Sequence, residues 1–388
     1  MAHPYGLDPK GADLAASAAS LARDVASQRA QEVDTSARFP RESLDALGHQ
    51  GLLGLCVPTE LGGKGQGPGT FAAVVEELAQ GCASTAMVYV MHVTAAQAIA
   101  ASTSLANREA LLRDIAAGKH LTTLAFSEKG SRSQFWAPVS RLERRVGGYT
   151  TDAQKSWVTS ASHADSYVST GLSPDAKSAL ESTLYLVRRG AKGVKVEGGF
   201  DGLGLRGNDS APVTFKGVDI VDGDLVTPLG QGADTILSVV LPWFVVGTSA
   251  MANGLCRAAV DATTRHLTTT GFEHTGLKLR DLPNLRTRLA NMSVRTEQSR
   301  SLLGRAVGAM EAPDAMTPVL VLQTRHAALE AALAVTDLAM KACGGAAFSK
   351  HLGIERLFRD ARAGWVMAPT VDHLEDFIGR ALTGLELF

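Results

Sequence analysis

The sequence predicts an α+β protein of three parts: an N-terminal helical domain over residues 1–118, a middle β-domain over 119–230 and a C-terminal four-helix bundle over 231–388. Three observations predict it. Before about residue 118, and again from about Ala233, apolar residues recur at spacings of three and four, the period of an amphipathic helix. Between those regions the chain breaks into short β-rich segments separated by Gly, Asp, Ser and Lys, as strands joined by turns do. The 388 residues suffice for two or three domains.

In the first part, GADLAASAASLARDVASQRA and GTFAAVVEELAQGCASTAMVYVMHVTAAQAIAA read as helices, with VPTELGGKGQGPG as a glycine-rich loop between them. In the second, LTTLAFSE, YTTDAQKSWVTSA, DSYVSTGL, STLYLVRR, GVKVEGG and APVTFKGVDI read as strands of a small β-barrel or sandwich. In the third, DLPNLRTRLANMSVRTEQSRSLLGRAVGAM and TPVLVLQTRHAALEAALAVTDLAMKACGG are long amphipathic segments, suited to a bundle. Near the end, GWVMAPTVDHLEDFIGRAL carries Pro369 inside a helical pattern, so the helix must break there. Such a break presents side chains to a ligand, and the residue beside it is Ala368.

Hydrophobic residues make up 45% and charged residues 20%, an ordinary globular balance. A net charge of −1 gives no field to draw nucleic acid or an anionic membrane. Cys56, Cys82, Cys256 and Cys343 lie far apart. No metal site is expected from them; they read as buried thiols of a reducing compartment. The N-terminus lacks a continuous apolar core, and no segment approaches the roughly 20 apolar residues of a membrane span. The expected location is cytoplasmic.

Several motifs stand in one order: RFPRESLDALGHQGLLGLCVPTELGGKG, then LAFSEKGSRS at 124–133, KSWVTSA at 155–161, ACGGAAF at 342–348 and ERLFRDARAG at 355–364. On these the chain resembles the acyl-CoA dehydrogenase superfamily over nearly its whole length. The resemblance implies an FAD-dependent oxidoreductase. Its substrate would be an acyl thioester or related small molecule, oxidised at a C–H bond by hydride transfer to flavin N5. It also implies a homotetramer, with an electron-transfer flavoprotein or a flavin reductase as partner. Phe126 and Ser127 match positions lining the pyrimidine side of the flavin, and Ser133 a serine on its pyrophosphate. Gly345 matches a glycine where a neighbouring subunit's FAD passes, and Thr370 and Asp372 match polar positions near the ADP portion. Trp157 and Thr159 alternate with Val158 on a strand and so share a face. One suits the flat ring and the other its polar edge.

The chain also departs from that pattern. The usual R-x-x-F-G is replaced by TTTGFEHTGLKL, a Gln before the glycine pair is Lys341, and a Gly before K-x-W is Ala153. The usual catalytic glutamate position is Ala368, and the alternative one falls near Phe244 with Trp243 beside it. The substrate pocket is therefore expected to hold Trp243, Phe244 and Ala368 without a carboxylate base. His92 is the remaining catalytic candidate, since an imidazole on a helix bordering the pocket can move a proton. Phe135 and Trp136 are expected near the entrance. Two other reactions stay open: a monooxygenase of the same superfamily working through a flavin hydroperoxide, and a flavin-containing binding protein. The DNA-contacting form of the latter needs a basic patch, which the near-neutral charge disfavours.

Overall fold

The computed structural model describes residues 3–386. Six helices come first: α1 (Pro9–Leu21), α2 (Ser27–Ser36), α3 (Arg41–His49), α4 (Pro68–Gly81), α5 (Ala83–Ala100) and α6 (Arg108–Ala116). The start of α1 is dictated locally. Asp8 accepts the Gly11 N–H at 2.5 Å and Pro9 follows it, the residue types favoured at these two positions. α5 is apolar on every side, and every residue but Gln97 and Ala100 is buried. A helix without a polar face must lie inside, and α5 sits among α4, the first strand and the bundle.

The strands are β1 (Thr122–Ala125), β2 (Leu142–Arg145), β3 (Gly148–Val158), β4 (Ser166–Leu172), β5 (Ser182–Arg188), β6 (Val194–Val196) and β7 (Ala211–Ile220). They form a three-stranded sheet, β1-β4-β5, and a four-stranded antiparallel sheet, β2-β3-β7-β6. β1 runs parallel to β4. Tyr149, Val158, Tyr167, Tyr185 and Phe215 belong to one buried cluster of this domain, so it is a sandwich with its own core.

The C-terminal part holds α7 (Gly232–Thr235), α8 (Leu241–Thr269), α9 (Pro283–Glu311), α10 (Thr317–Cys343), α11 (Gly345–Phe348), α12 (Ile354–Val366) and α13 (Val371–Thr383). α8, α9 and α10 pack on one another. The fourth arm of the bundle is divided at Pro369 into α12, which lies on α10 and α8, and α13, which lies on α10. One expectation needs correcting. Residues 232–269 are long and apolar enough to cross a membrane, with an 18-residue stretch of mean hydropathy 1.7. Yet Val245–Cys256 of that helix is buried without interruption, because α4 and α10 cover it.

Glu76 of α4 ties the helical parts together. It has no exposed surface. It accepts from Arg257 at 2.7 Å, from Arg300 at 3.1 Å and from the Tyr5 hydroxyl, which in turn meets Asn253 at 3.2 Å. Losing one partner of a buried set of this kind costs about 3–5 kcal/mol. Gly254 permits the approach: a Cβ there would stand 2.4 Å from the Glu76 carbonyl oxygen.

A second junction joins α12 to the β-domain. Asp360 is buried and accepts the Leu205 N–H at 2.7 Å. Beside it, Arg359 reaches the carboxylate of Asp34 in α2 at 2.6 and 2.8 Å. Burial pushes the Asp360 carboxyl up to about 6, against the pull of the Leu205 N–H and Arg356. An unfolded aspartate titrates near 4. Between about pH 4 and 6 the folded protein therefore holds a proton that the unfolded chain has released. Stability from this group is greatest at the acid end and falls as pH rises through about 6. Asp360→Asn keeps an acceptor for Leu205 and removes the proton. Urea midpoints across this window are expected to fall less steeply with pH in the variant than in the wild type; equal slopes would refute the assignment.

Candidate active site

A cavity of about 980 Å³ opens where the three parts meet. Met87 and Met91, one turn apart on α5, form one wall. Phe126 and Ser127, just after β1, form a second with Trp157 and Thr159 at the end of β3. Phe200 to Ser210, between β6 and β7, close the side, with Phe200, Leu205 and Asn208 facing in. Phe244 of α8 and the segment from Arg362 to Ala368 close the inner end, while Ser133 and Phe135 stand on the loop after Ser127.

A buried ion pair sets the β wall. Lys155 Nζ stands 2.6 Å from Glu128 Oε1, and neither side chain is solvated. The ammonium also donates to the Thr170 carbonyl at 2.6 Å. The Glu128 carboxylate accepts the Val139 and Ser140 N–H groups at 2.7 Å each and the Ser140 hydroxyl at 2.5 Å. Burial alone would push this carboxyl up, but the Lys155 charge and the Ser140 donors hold it below its ordinary value. Glu128 lines the cavity but is not a free base.

Strand alternation does not bring Trp157 to the cavity. Lys155 pairs with Val213, but Val158 pairs with Ala211. Three steps on β3 match two on β7, which is a β-bulge. Trp157 takes φ of +56°, a left-handed conformation uncommon for a bulky residue. Its indole is 69% exposed and meets Phe200 edge-on at 6.4 Å. Thr159, beyond the bulge, is buried and shares a hydrogen bond with Ser210 at 3.0 Å.

Other candidates fall elsewhere. His92 has no exposed surface and does not line the cavity. Its Nδ1 accepts the Thr122 N–H at 3.1 Å, so Nε2 carries the proton and donates to the Leu53 carbonyl at 3.1 Å. Burial lowers its pKa to about 4. With both nitrogens committed it joins α5 to β1, and the catalytic expectation is withdrawn. Trp243 turns away from the pocket and packs on Phe71 at 5.5 Å, because residue 243 takes a different face of α8 from Phe244. Trp136 is buried against Phe377 and His373, so only Phe135 reaches the cavity.

Gly345, Thr370 and Asp372 lie outside the cavity of this one chain. Gly345 is exposed at the start of α11, and a Cβ added there would meet nothing within 4 Å. Thr370 opens α13 and contacts His373 at 3.2 Å, while Asp372 is exposed. Lys341 pairs with Asp337 at 2.6 Å on the surface. His373 stacks on Phe377, and Glu375 pairs with His326. None of these residues supplies a base beside Ala368.

Three groups at the site were not singled out from the sequence. Asn208 Oδ1 is buried without a hydrogen-bond donor. Arg362 lines the cavity with its guanidinium 3.3 Å above the Phe358 ring. Arg325, from α10, lies behind the inner end. The pairing of Glu128 with Lys155 was not read from the sequence either; the one local signal is a charge of each sign in FSEK and QKSW beside β-rich segments. Nothing local marked the others.

The open indole, the unpartnered Asn208 oxygen and the Ser127 and Thr159 hydroxyls suit a flat heteroaromatic ring with a polar edge. The residues present therefore fit FAD.

Comparison with known proteins agrees with this arrangement. The family descriptions "Acyl-CoA dehydrogenase, N-terminal domain", "middle domain" and "C-terminal domain" match residues 9–119, 123–218 and 230–383. The chain is 27% identical over 367 residues to a cyclohex-1-ene-1-carbonyl-CoA dehydrogenase of Geobacter metallireducens, covering 93% of this chain and 96% of that one. The fold superposes on butyryl-CoA dehydrogenase from Megasphaera elsdenii with a TM-score of 0.92 at 21% identity, covering 97% and 99% of the two chains. It superposes on an FAD complex of PigA with a TM-score of 0.89, also at 21% identity, covering 97% and 98%. Matched by all three domain descriptions in order, the chain belongs to the acyl-CoA dehydrogenase family of oxidoreductases.

Proposed function

We propose that this protein binds FAD in the cavity and oxidises a C–H bond of an acyl thioester or related small molecule. The observation that carries the reading is continuity. Phe126, Ser127, Trp157 and Thr159 line the same cavity as Phe244 and Ala368, so the ring site and the reacting end share one space. When bound, the flavin supplies the acceptor for a hydride from substrate carbon.

The chain's own residues do the rest. Trp157 offers a face or edge to the ring, and Ser127, Thr159 and Asn208 meet its polar edge. Ser133 takes the pyrophosphate end, with Lys129 and Arg132 on the same loop lining the cavity. Phe244, Met87, Met91 and Met367 give the inner end an apolar lining. In the dehydrogenase reading the two electrons would pass on to an electron-transfer flavoprotein; a flavin reductase belongs to the oxygenation reading, where it would supply the reduced flavin.

A second reading, oxygenation by a monooxygenase of this family, is favoured by one observation. Among the described residues lining the cavity, the only carboxylate is Glu128, sealed in its ion pair. A reaction without α-proton removal would need none.

Gly345, Thr370 and Asp372 act, in this reading, toward the FAD of a second copy. Phe348, 84% exposed beside Gly345, supports burial of that face in a homotetramer. Light scattering is expected to give four times the chain mass; a monomer at all concentrations would count against it.

Trp157→Ala is expected to weaken FAD binding about tenfold or more, since an aromatic stacking contact contributes about 0.5–1.5 kcal/mol beyond its buried area. Fluorescence titration of the apoprotein reads this, and unchanged affinity would remove Trp157 from the cofactor site.

The function itself is tested by anaerobic mixing with a panel of acyl-CoAs, watching the flavin bleach. Ala368→Glu places a carboxylate at the inner end. It is expected to raise the bleaching rate with simple saturated acyl-CoAs by about 10²-fold or more, the range of general-base catalysis. If neither protein bleaches, and the wild type with a flavin reductase oxygenates a test substrate in air, oxygenation replaces this reading.

A further inference from the structure

The inner end of the cavity is backed by a cation that no acid among the described residues neutralises. Arg325 of α10 has no exposed surface. Its Nη2 donates to the Met367 carbonyl at 2.9 Å, its Nε to the Pro369 carbonyl at 3.3 Å and its Nη1 to the Thr248 hydroxyl. The guanidinium carbon stands 5.0 Å from the centre of the Phe244 ring. Its facing groups come from α8 and from the break between α12 and α13. Thr248, Phe244, Met367 and Pro369 are all uncharged and none titrates near neutral pH. Burial alone lowers the Arg325 pKa, to about 9, and among the described residues no carboxylate opposes it.

A buried charge of this kind is costly unless paired. Here carbonyl and hydroxyl dipoles satisfy its hydrogen bonds but leave the charge. The two carbonyls bracket Ala368, which lines the cavity, and Phe244 lines it too. Arg325 thus fixes the α12–α13 break and directs a positive potential at the site where an acyl group would react. In a low-dielectric interior such a charge acts over several ångströms. The Met367 carbonyl turned to Arg325 also turns the Ala368 N–H of the same trans peptide the opposite way.

We propose that Arg325 is an electrostatic positioning residue, and that its field selects substrates whose reacting carbon is acidic: thioesters activated at Cα, which ionise on binding instead of being deprotonated by a carboxylate. This rests on the acyl-thioester reading above. In the step, the α-C–H bond breaks, its proton leaves to water, and its electron pair stays on the substrate as an enolate. Arg325 itself gives up no proton.

The test uses the FAD-loaded protein and acetoacetyl-CoA, a thioester whose enolate absorbs, titrated with pH. The wild type is expected to lower the apparent pKa of the bound ligand by about one unit or more, a tenfold shift toward the enolate. Arg325→Met returns the ligand to its free value, and Arg325→Lys, which keeps the charge but not the fork, retains most of the shift. A role confined to holding the break would make Lys fail as Met does, and that result overturns the proposal. So does ionisation of the bound ligand at its free value in the wild type, a measurement that stands even if Arg325→Met does not fold. Binding without a shift overturns this inference alone. Failure to bind any thioester overturns the function reading and this one with it.

Discussion

The cavity depends on Lys155 meeting Glu128 out of water. Removing two such charges from solvent costs several kcal/mol each, and their attraction offsets this only when the remaining donors and acceptors are also met. Here they are met from three directions. The Glu128 carboxylate gathers the chain entering β2 through Val139 and Ser140, and the Lys155 ammonium reaches β4 at Thr170. The pair therefore fixes the turn after β1 against β3 and β4. With Lys155 held inward, regular alternation would turn Trp157 inward as well. The bulge between Lys155 and Val158 takes in an extra residue instead, and Trp157 is turned outward at φ +56°.

The opposite wall is built on a different electrostatic plan. Glu128 and Lys155 cancel, whereas Arg325 meets only dipoles. Those dipoles include the carbonyl just past the end of α12, where a helix carries partial negative charge and a cation is favoured. This offsets part of the cost of burial without neutralising the site. The buried charges are therefore asymmetric, with a cancelled pair behind the β wall and an uncompensated cation behind the inner end. A ligand that is flat and polar-edged at one side and anionic at the other matches both.

Much of the fold was legible because it rests on period. Helical spacing marked the outer parts, β-rich segments and turns marked the middle one, and Pro369 marked the break between α12 and α13. The β wall of the site was legible where one motif lies on one strand, as with Phe126, Ser127 and the KSWVTSA segment. What could not be read depends on distance in sequence or on register. The bulge shows only in pairing with β7, fifty or more residues on. His92 was a plausible proton carrier until the Leu53 carbonyl and the Thr122 N–H, brought from other segments, used both its nitrogens. Trp243 and Phe244 are neighbours in sequence, but one step along a helix rotates a side chain by about 100°, and only one of them can face the cavity. Arg325 looks like any arginine on an amphipathic helix until α8 and the chain break close over it.

Ala368 is best understood from this asymmetry. Its neighbours on both sides are fixed through their carbonyls, so its backbone is held whatever its side chain. Its Cβ borders a cavity of about 980 Å³, so a longer side chain would extend into open volume. Neither space nor backbone geometry demands alanine. A carboxylate at this point would extend into the cavity as a base. Its charge would also offset part of the positive potential that Arg325 sets up behind residues 367 to 369. Keeping the position neutral leaves the field of Arg325 directed at the ligand. The absence of an acid at Ala368 and the presence of an uncompensated cation behind it are thus two parts of one arrangement, in which the negative charge of the reaction is to be carried by the substrate.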